Sequence, residues 1–328
     1  MVGTGGIGTG NIYLLEGNHD LGRNESRMGH QLSVRDFCKL HIIFHYISVF
    51  INDLKINVKV YPVGAVGDDP AADELCDMMK KAGMNLNHVT KIPDTPTLRS
   101  ICFQYPDHSG GNITENQSAS SKVSAAMISK SEIILQKNKS IVLAVPEVPL
   151  ASRIKLIDLG FRNKSYVLAS FVFDEIENVK KWGFLEKIDL LSLNLDEAAA
   201  FADVSTETPI LEIIKRCIQI ASQLNPGIRL CITCGNKGIY GYDQGSTEFL
   251  PILNVPVKNT AGAGDAVLSG IIMGLLLGFP YIDNNKPSCL KLGRLISAMS
   301  VTSENTINFD INLRSLIHFQ KIHGEDIL

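Results

Sequence analysis

Ser140-Ile141-Val142-Leu143-Ala144-Val145, then Leu150-Ala151-Ser152-Arg153-Ile154-Lys155-Leu156-Ile157-Asp158-Leu159, then Tyr166-Val167-Leu168-Ala169-Ser170-Phe171 is the stretch on which the fold turns. Short, continuous apolar runs suit strands buried on both faces, whereas the middle segment is longer and has the spacing of an amphipathic helix. Asp174 to Trp182 reads as the next helix and Ile188 to Leu193 as the next strand. Such a β-α-β-α-β alternation predicts a parallel sheet with helices packed on its faces.

The same rhythm extends in both directions. Upstream, Val58 to Ala65 reads as a strand and Asp69 to Lys81 as a helix, with Ala72, Leu75, Met79 and Ala82 on one face and Gly83 as its stop. Downstream, Arg229 to Cys234 is a strand, and Gly238 to Tyr242 and Thr247 to Leu250 suggest an antiparallel extension across the turn Asp243-Gln244-Gly245. The last third is helical: Ala266 to Leu277, Lys291 to Thr302 and Ile311 to Lys321, with Gly270 and Gly274 four apart on a face that permits close approach. We expect an α/β fold, a doubly wound and mostly parallel sheet flanked by helices, as one domain over residues 1–328. Two segments break the pattern, at about 11–34 and 94–119. Both are expected as irregular insertions forming a small β-rich lid.

Composition narrows the function classes. Lys and Arg total 31 against 34 Asp and Glu and are scattered, so nothing points to nucleic acid. Seven widely spaced cysteines do not resemble a disulfide framework, and Cys231-Ile232-Thr233-Cys234 reads as a buried strand rather than a metal or redox site. No signal peptide opens the chain, and the longest apolar run, Ala266 to Phe279, is too short to span a bilayer. A cytoplasmic protein without membrane attachment is expected. Gly3-x-Gly5-x-x-Gly8 fits a dinucleotide fingerprint only with a strand before it, and Met1 and Val2 leave no room for one.

The chemistry centres on Asn259-Thr260-Ala261-Gly262-Ala263-Gly264-Asp265. Small residues let backbone amides approach an anion, and the apolar run that follows makes this segment a helix N-terminus, where free N–H groups and the dipole favour negative charge. Asp265 falls in the first turn, placed to take a proton from a hydroxyl attacking the same phosphate. A tight turn with a helix-capping acid would fit the five residues equally well.

With its companion blocks, the motif resembles the signature of the ribokinase family, the PfkB-type carbohydrate kinases. Gly64-Ala65-Val66-Gly67-Asp68-Asp69, Asn194-Leu195-Asp196-Glu197 and Thr233-Cys234-Gly235-Asn236-Lys237-Gly238 resemble further family blocks, in the family's order. The resemblance implies transfer of the γ-phosphoryl group of ATP to a small-molecule hydroxyl. Asp265 would be the base, and the amides of Gly262, Ala263 and Gly264 an anion hole. Asn194 and Glu197 would help hold Mg²⁺ and its waters near the ATP phosphates, while Thr233, Gly235, Gly238 and Asn305 would lie along the nucleotide. On residue chemistry alone, Asn194-x-x-Glu197 is also a helix-capping pattern.

The chain departs from the family in two places. Asn259 stands where an acid is usual and Ala261 where a threonine is, which leaves a monovalent cation requirement open. The sugar-binding acid expected near the end of the first strand is Gly10, and the later Gly-Gly block is replaced by Asp36-Phe37-Cys38-Lys39. Candidate acceptor contacts are therefore Asn11, Asn18, Arg23, Arg27, Lys39, Arg99 and Asn112. Arg23 and Arg27, four apart, could fork onto a carboxylate or phosphate, or be solvated loop charges. A carbohydrate or polyol acceptor is expected, with a nucleoside kinase or a non-catalytic nucleotide- or sugar-binding protein as the alternatives. Pairing of lids into a homodimer is left open.

Overall fold

The computed structural model describes residues 1–107, 109–136 and 140–328. The chain opens with β1 (Val2–Thr4), β2 (Gly8–Leu15), β3 (Gly29–Phe37) and α1 (Lys39–Asp53), followed by β4 (Tyr61–Val66), α2 (Pro70–Lys81), β5 (Val89–Lys91), β6 (Leu98–Gln104) and β7 (Gly110–Thr114). Two short helices, α3 (Ala125–Ser129) and α4 (Glu132–Leu135), precede β8 (Ile141–Ala144), α5 (Leu150–Arg162), β9 (Tyr166–Ser170) and α6 (Ile176–Lys181). Next come β10 (Leu190–Asn194), α7 (Leu195–Phe201), α8 (Ile210–Leu224), β11 (Arg229–Thr233), β12 (Ile239–Asp243) and β13 (Ser246–Leu250). The chain then ends in α9 (Ala263–Leu276), α10 (Cys289–Ser300) and α11 (Leu313–Ile322).

Nine strands form the main sheet in the order β13-β12-β11-β10-β9-β8-β1-β4-β5. Its pairs are parallel from β11 to β5, and β12 and β13 extend it in antiparallel fashion, as the sequence predicts. Each buried strand divides its side chains between two cores. In β8, Val142 and Ala144 join one cluster, while Leu143 joins the other. Helices α1, α2, α9, α10 and α11 cover the second face; α5, α7 and α8 cover the first. Both faces are thus shielded, the condition under which parallel strands can be apolar throughout.

Local chemistry sets the element ends. Asp69 caps α2 by accepting from the Ala72 amide at 2.9 Å, with Pro70 at the first helical position. The other Asp69 oxygen accepts from the Thr97 amide at 2.8 Å, which ties the helix to β6.

Two expectations require correction. The stretch at 11–34 is irregular only over 16–28: on either side β2 and β3 pair antiparallel, β2 pairs parallel with β6, and β6 pairs antiparallel with β7, giving a four-stranded sheet β3-β2-β6-β7. Only one face of this sheet is covered, and its outer positions mix polar residues with the exposed pair Ile101 and Ile113, so the apolar alternation is faint in the sequence. Second, a strand does exist at Gly3, inside β1, although Gly8 opens β2 rather than a helix. The dinucleotide fingerprint therefore fails because no helix opens at its last glycine. Within the second insertion, His108 lies outside the described residues.

The glycines of α9 act as anticipated. A Cβ on Gly270 would stand 2.6 Å from the Gly293 Cα, and one on Gly274 would stand 2.7 Å from the Cys289 Cα, so α9 and α10 meet backbone to backbone. Gly270→Ala should lower the urea midpoint of unfolding, because overpacking costs about 1–3 kcal/mol against at most about 1 kcal/mol of helix propensity gained.

Candidate active site

The parallel strands point their carboxyl ends toward the small sheet, the edge at which ligands bind in open α/β folds. Between the two lies a cleft of about 380 Å³ bordered by Asp36, Lys39, Asn112, Glu147, Asn194, Asn259, Gly262 and Asp265. A hollow of about 420 Å³ at the β12–β13 turn is walled by Asp243, Glu248 and Asp283, and no motif residue borders it.

Gly262 is the N-cap of α9 at φ 78°, and a Cβ there would stand 2.9 Å from the Thr306 carbonyl oxygen, so the bend admits glycine alone. Asp265 follows in the first turn with 14% of its side chain exposed. Its Oδ1 lies 3.6 Å from the Lys39 Nζ, within range of charge attraction but longer than a good hydrogen bond. Burial raises the Asp265 carboxyl above its usual range; Lys39 opposes this, and Asp36 adds to it. Lys39 is held protonated, chiefly by Asp265.

Of the three amides expected to form the anion hole, that of Ala263 donates to the Thr260 carbonyl at 3.2 Å, closing a turn. Asn259 organises this bend: its Oδ1 accepts from the Ala261 amide at 2.9 Å, and its Nδ2 donates to the Glu304 carbonyl at 2.8 Å. An aspartate at that position could accept but not donate.

Asn194 and Glu197 form a full capping box on α7. The Asn194 Oδ1 accepts from the Glu197 amide at 2.8 Å, and the Glu197 Oε2 accepts from the Asn194 amide at 2.9 Å. The Glu197 Oε1 is left by the box, and burial raises this carboxyl while Lys39 lowers it. Among the described residues no group of three His, Cys, Asp or Glu side chains could hold a metal by itself. Such a donor set fits a magnesium ion that keeps its waters and substrate phosphates as ligands.

Thr233 ends β11, and a Cβ on Gly264 would stand 3.8 Å from its Oγ1, so the predicted nucleotide block lies beside the bend. Gly235, at φ 54°, has open space around it. Gly238 has a structural cause instead: at φ 115°, its Cβ would meet the Leu250 carbonyl oxygen at 2.4 Å. Asn305 is anchored to the small sheet, its Oδ1 accepting from the Arg35 amide at 3.4 Å.

Of the acceptor candidates, Lys39 and Asn112 border the cleft. The others do not. Arg27 is almost fully buried and engaged by the Glu25 carboxylate and the carbonyls of His19 and Asp20, so no fork with Arg23 forms, and Arg23 is exposed. The Asn18 Oδ1 accepts from the Asp107 amide at 3.2 Å. Asn11 pairs with Ile101, and Thr9 with Arg99, on the outward set of positions; Ile12 and Cys102 are on the inward set. The period of two put Asn11 and Arg99 on the wrong face. His41 and His45 are packed against Phe37 and Phe309, and burial lowers them to about 3 and about 4.

Two cleft residues were not anticipated. Glu147 follows β8 at φ 74°, a strained position for a non-glycine residue, and its Oε2 accepts from the Lys39 amide at 3.2 Å. A Cβ on Gly6 would collide with this carboxylate at 2.6 Å. An acid just beyond the carboxyl end of an apolar strand is the signal that could have found it. Asp36, the last inward residue before Phe37 on β3, is 8% exposed. Its Oδ2 accepts from the Ser100 Oγ at 2.7 Å and from the Cys102 Sγ at 3.0 Å.

An α/β sheet whose carboxyl edge carries a small-residue bend, a first-turn acid and a cation beneath a second sheet defines a sugar- or nucleoside-kinase type of fold. The pattern of pfkB family carbohydrate kinases matches residues 47–312, and the chain belongs to that family. It is 25% identical over 255 residues to a deoxyribokinase of Salmonella typhi, covering 77% of this chain and 78% of the relative. Similar solved structures include a ribokinase of Giardia lamblia (TM-score 0.80, 14% identity, 97% of this chain and 98% of that one). An Arabidopsis thaliana ribokinase complexed with ribose and ATP has a TM-score of 0.74 at 18% identity, with 98% of each chain covered. A Burkholderia thailandensis nucleoside kinase in complex with inosine has a TM-score of 0.73 at 17% identity, with 99% of each chain covered. No helix among the described residues is long and apolar enough to cross a membrane.

Burial lifts Glu147 from its ordinary value of 4.5 to about 7, with Lys39 opposing and Asp265 and Asp36 reinforcing. Its contribution to stability is fully present below about 4.5 and is lost as pH rises to about 7. In thermal melts, Glu147→Gln should therefore gain on the unaltered protein between pH 5 and pH 8.

Proposed function

We propose that the chain is an ATP-dependent phosphotransferase acting on a hydroxyl of a small carbohydrate or related polyol, with Asp265 as the base. The observation that carries this is the first-turn Asp265 carboxylate, open to the cleft beside the Gly262 bend and faced by Lys39. The acceptor hydroxyl would give its proton to Asp265 as its oxygen attacks the γ-phosphorus, and the bond to the leaving ADP oxygen would break. Lys39 opposes the protonation that burial favours at this base. The amide end of α9 faces the charge that develops on the transferring group, where a preorganised donor is worth about 3–4 kcal/mol of barrier.

Asn194 and Glu197 would hold Mg²⁺ through water. The ion, when bound, neutralises the β- and γ-phosphate oxygens. Thr233 and Gly235 would border the nucleotide phosphates. The small sheet would act as a lid that limits water access and wasteful hydrolysis. A nucleoside acceptor is the second reading, favoured by the Phe37 and Phe103 rings on the cleft wall.

ADP release screened over sugars, polyols and nucleosides tests the activity and ranks these acceptors; ATP binding without acceptor-dependent release would reject the enzyme reading. Asp265→Asn should cut turnover by about 10²–10⁴-fold while leaving the KM for ATP within a few-fold. Lys39→Met removes the charge that opposes protonation of Asp265, so the acid limb of the pH–rate profile should move to higher pH.

A further inference from the structure

The acceptor end of the cleft has a charge balance that the family resemblance does not foretell. Among the described residues bordering it, Lys39 is the sole cation, against the acidic side chains of Asp36, Asp265 and Glu147, the last only partly ionised near neutral pH because burial lifts it to about 7. Neighbouring arginines are committed elsewhere: Arg27 to Glu25 and Arg35 to Glu74, while Arg99 lies on the outer face. Asp36 is also built in. Gly10, its cross-strand partner, could not carry a side chain, because a Cβ there would stand 2.0 Å from the Ser100 Oγ. That space admits the Ser100 hydroxyl, which donates to the Asp36 Oδ2, as does the Cys102 thiol. Both bonds fall on one oxygen, leaving Oδ1 as an acceptor at the cleft wall.

Resting on the phosphotransferase reading, we propose that Asp36 is the specificity-determining residue of the acceptor site: it accepts a hydroxyl of an uncharged polyhydroxy compound, and the surrounding carboxylates reject acceptors bearing phosphate or carboxylate groups. The carboxylate lost at Gly10 is supplied from the adjacent strand. Selection by repulsion is effective here because an anionic acceptor would bring another negative charge to a cleft with a single lysine among its described residues.

The test is calorimetric binding, with ADP release in parallel, for ribose, fructose, glycerol and inosine against ribose 5-phosphate and gluconate. The unaltered protein should bind at least one neutral compound more tightly than either acidic one. Asp36→Asn should weaken that binding at least about tenfold, the loss expected for a hydrogen bond to a charged group, with ATP affinity unchanged. Ser100→Ala, which keeps the charge but frees its orientation, should weaken it less; it carries the test if Asp36→Asn fails to fold. Tighter binding of an acidic compound, no binding by any neutral one, or unchanged affinity in the variant that folds overturns the proposal. Neutral binding lost with Asp36, but without ADP release, would support Asp36 and reject the phosphotransferase reading.

Discussion

The site depends on one ammonium group holding together carboxylates that would otherwise repel. Lys39 begins α1, yet its Nζ faces Asp265 on α9 and its backbone amide donates to Glu147 beyond β8. Three segments far apart in sequence are thereby drawn to one point. About a third of the Lys39 side chain remains exposed, so solvent screens the attraction and the pair is better regarded as an electrostatic bias than as a large source of stability. Its value is functional: it opposes the protonation that burial would impose on Asp265.

That bias works only because the backbone around it is rigid. The Gly262 bend rests on Thr306 and Ile42, Asn259 clasps it to the Glu304 carbonyl, and α9 is pressed onto α10 through Gly270 and Gly274. Apart from the Ile42 side chain, these contacts are between backbone and backbone or between backbone and a short side chain, which leaves few rotamers to fluctuate. A base on such a helix turn is held by the element itself rather than by a loop.

The main sheet was legible because it is buried on both faces: Val142 to Ala144 and Leu190 to Leu193 have no polar alternation to confuse with a surface helix, and the flanking helices show clear apolar stripes. The bend at Gly262 and the acid at Asp265 were legible because glycine and a first-turn carboxylate have specific backbone meanings. The small sheet was not. Its strands have one solvent-facing side, so β3 alternates weakly, and charged residues such as Arg27 looked available although local carbonyls and Glu25 engage it. Register made the difference for Asn11 and Arg99, since one position along a strand reverses the face.

Asp36 and Glu147 escaped notice for a further reason: apart from the place of Glu147 just beyond an apolar strand, nothing in their immediate sequence marks them. Asp36 matters because Gly10 and Ser100 lie beside it on β2 and β6, and Glu147 because Gly6 leaves it room and the Lys39 amide at the start of α1 donates to it. These are pairings across 26 to 141 residues only in the sense of chain separation; in space they are neighbours within one cleft. A motif reports chemistry that a short segment can perform alone, such as turning a helix onto an anion. Recognition of an acceptor is assembled across strands, so a residue lost at one position can be replaced from the next strand without leaving a local trace. The phosphate end of such a cleft is therefore readable from the chain, and the acceptor end only from the fold.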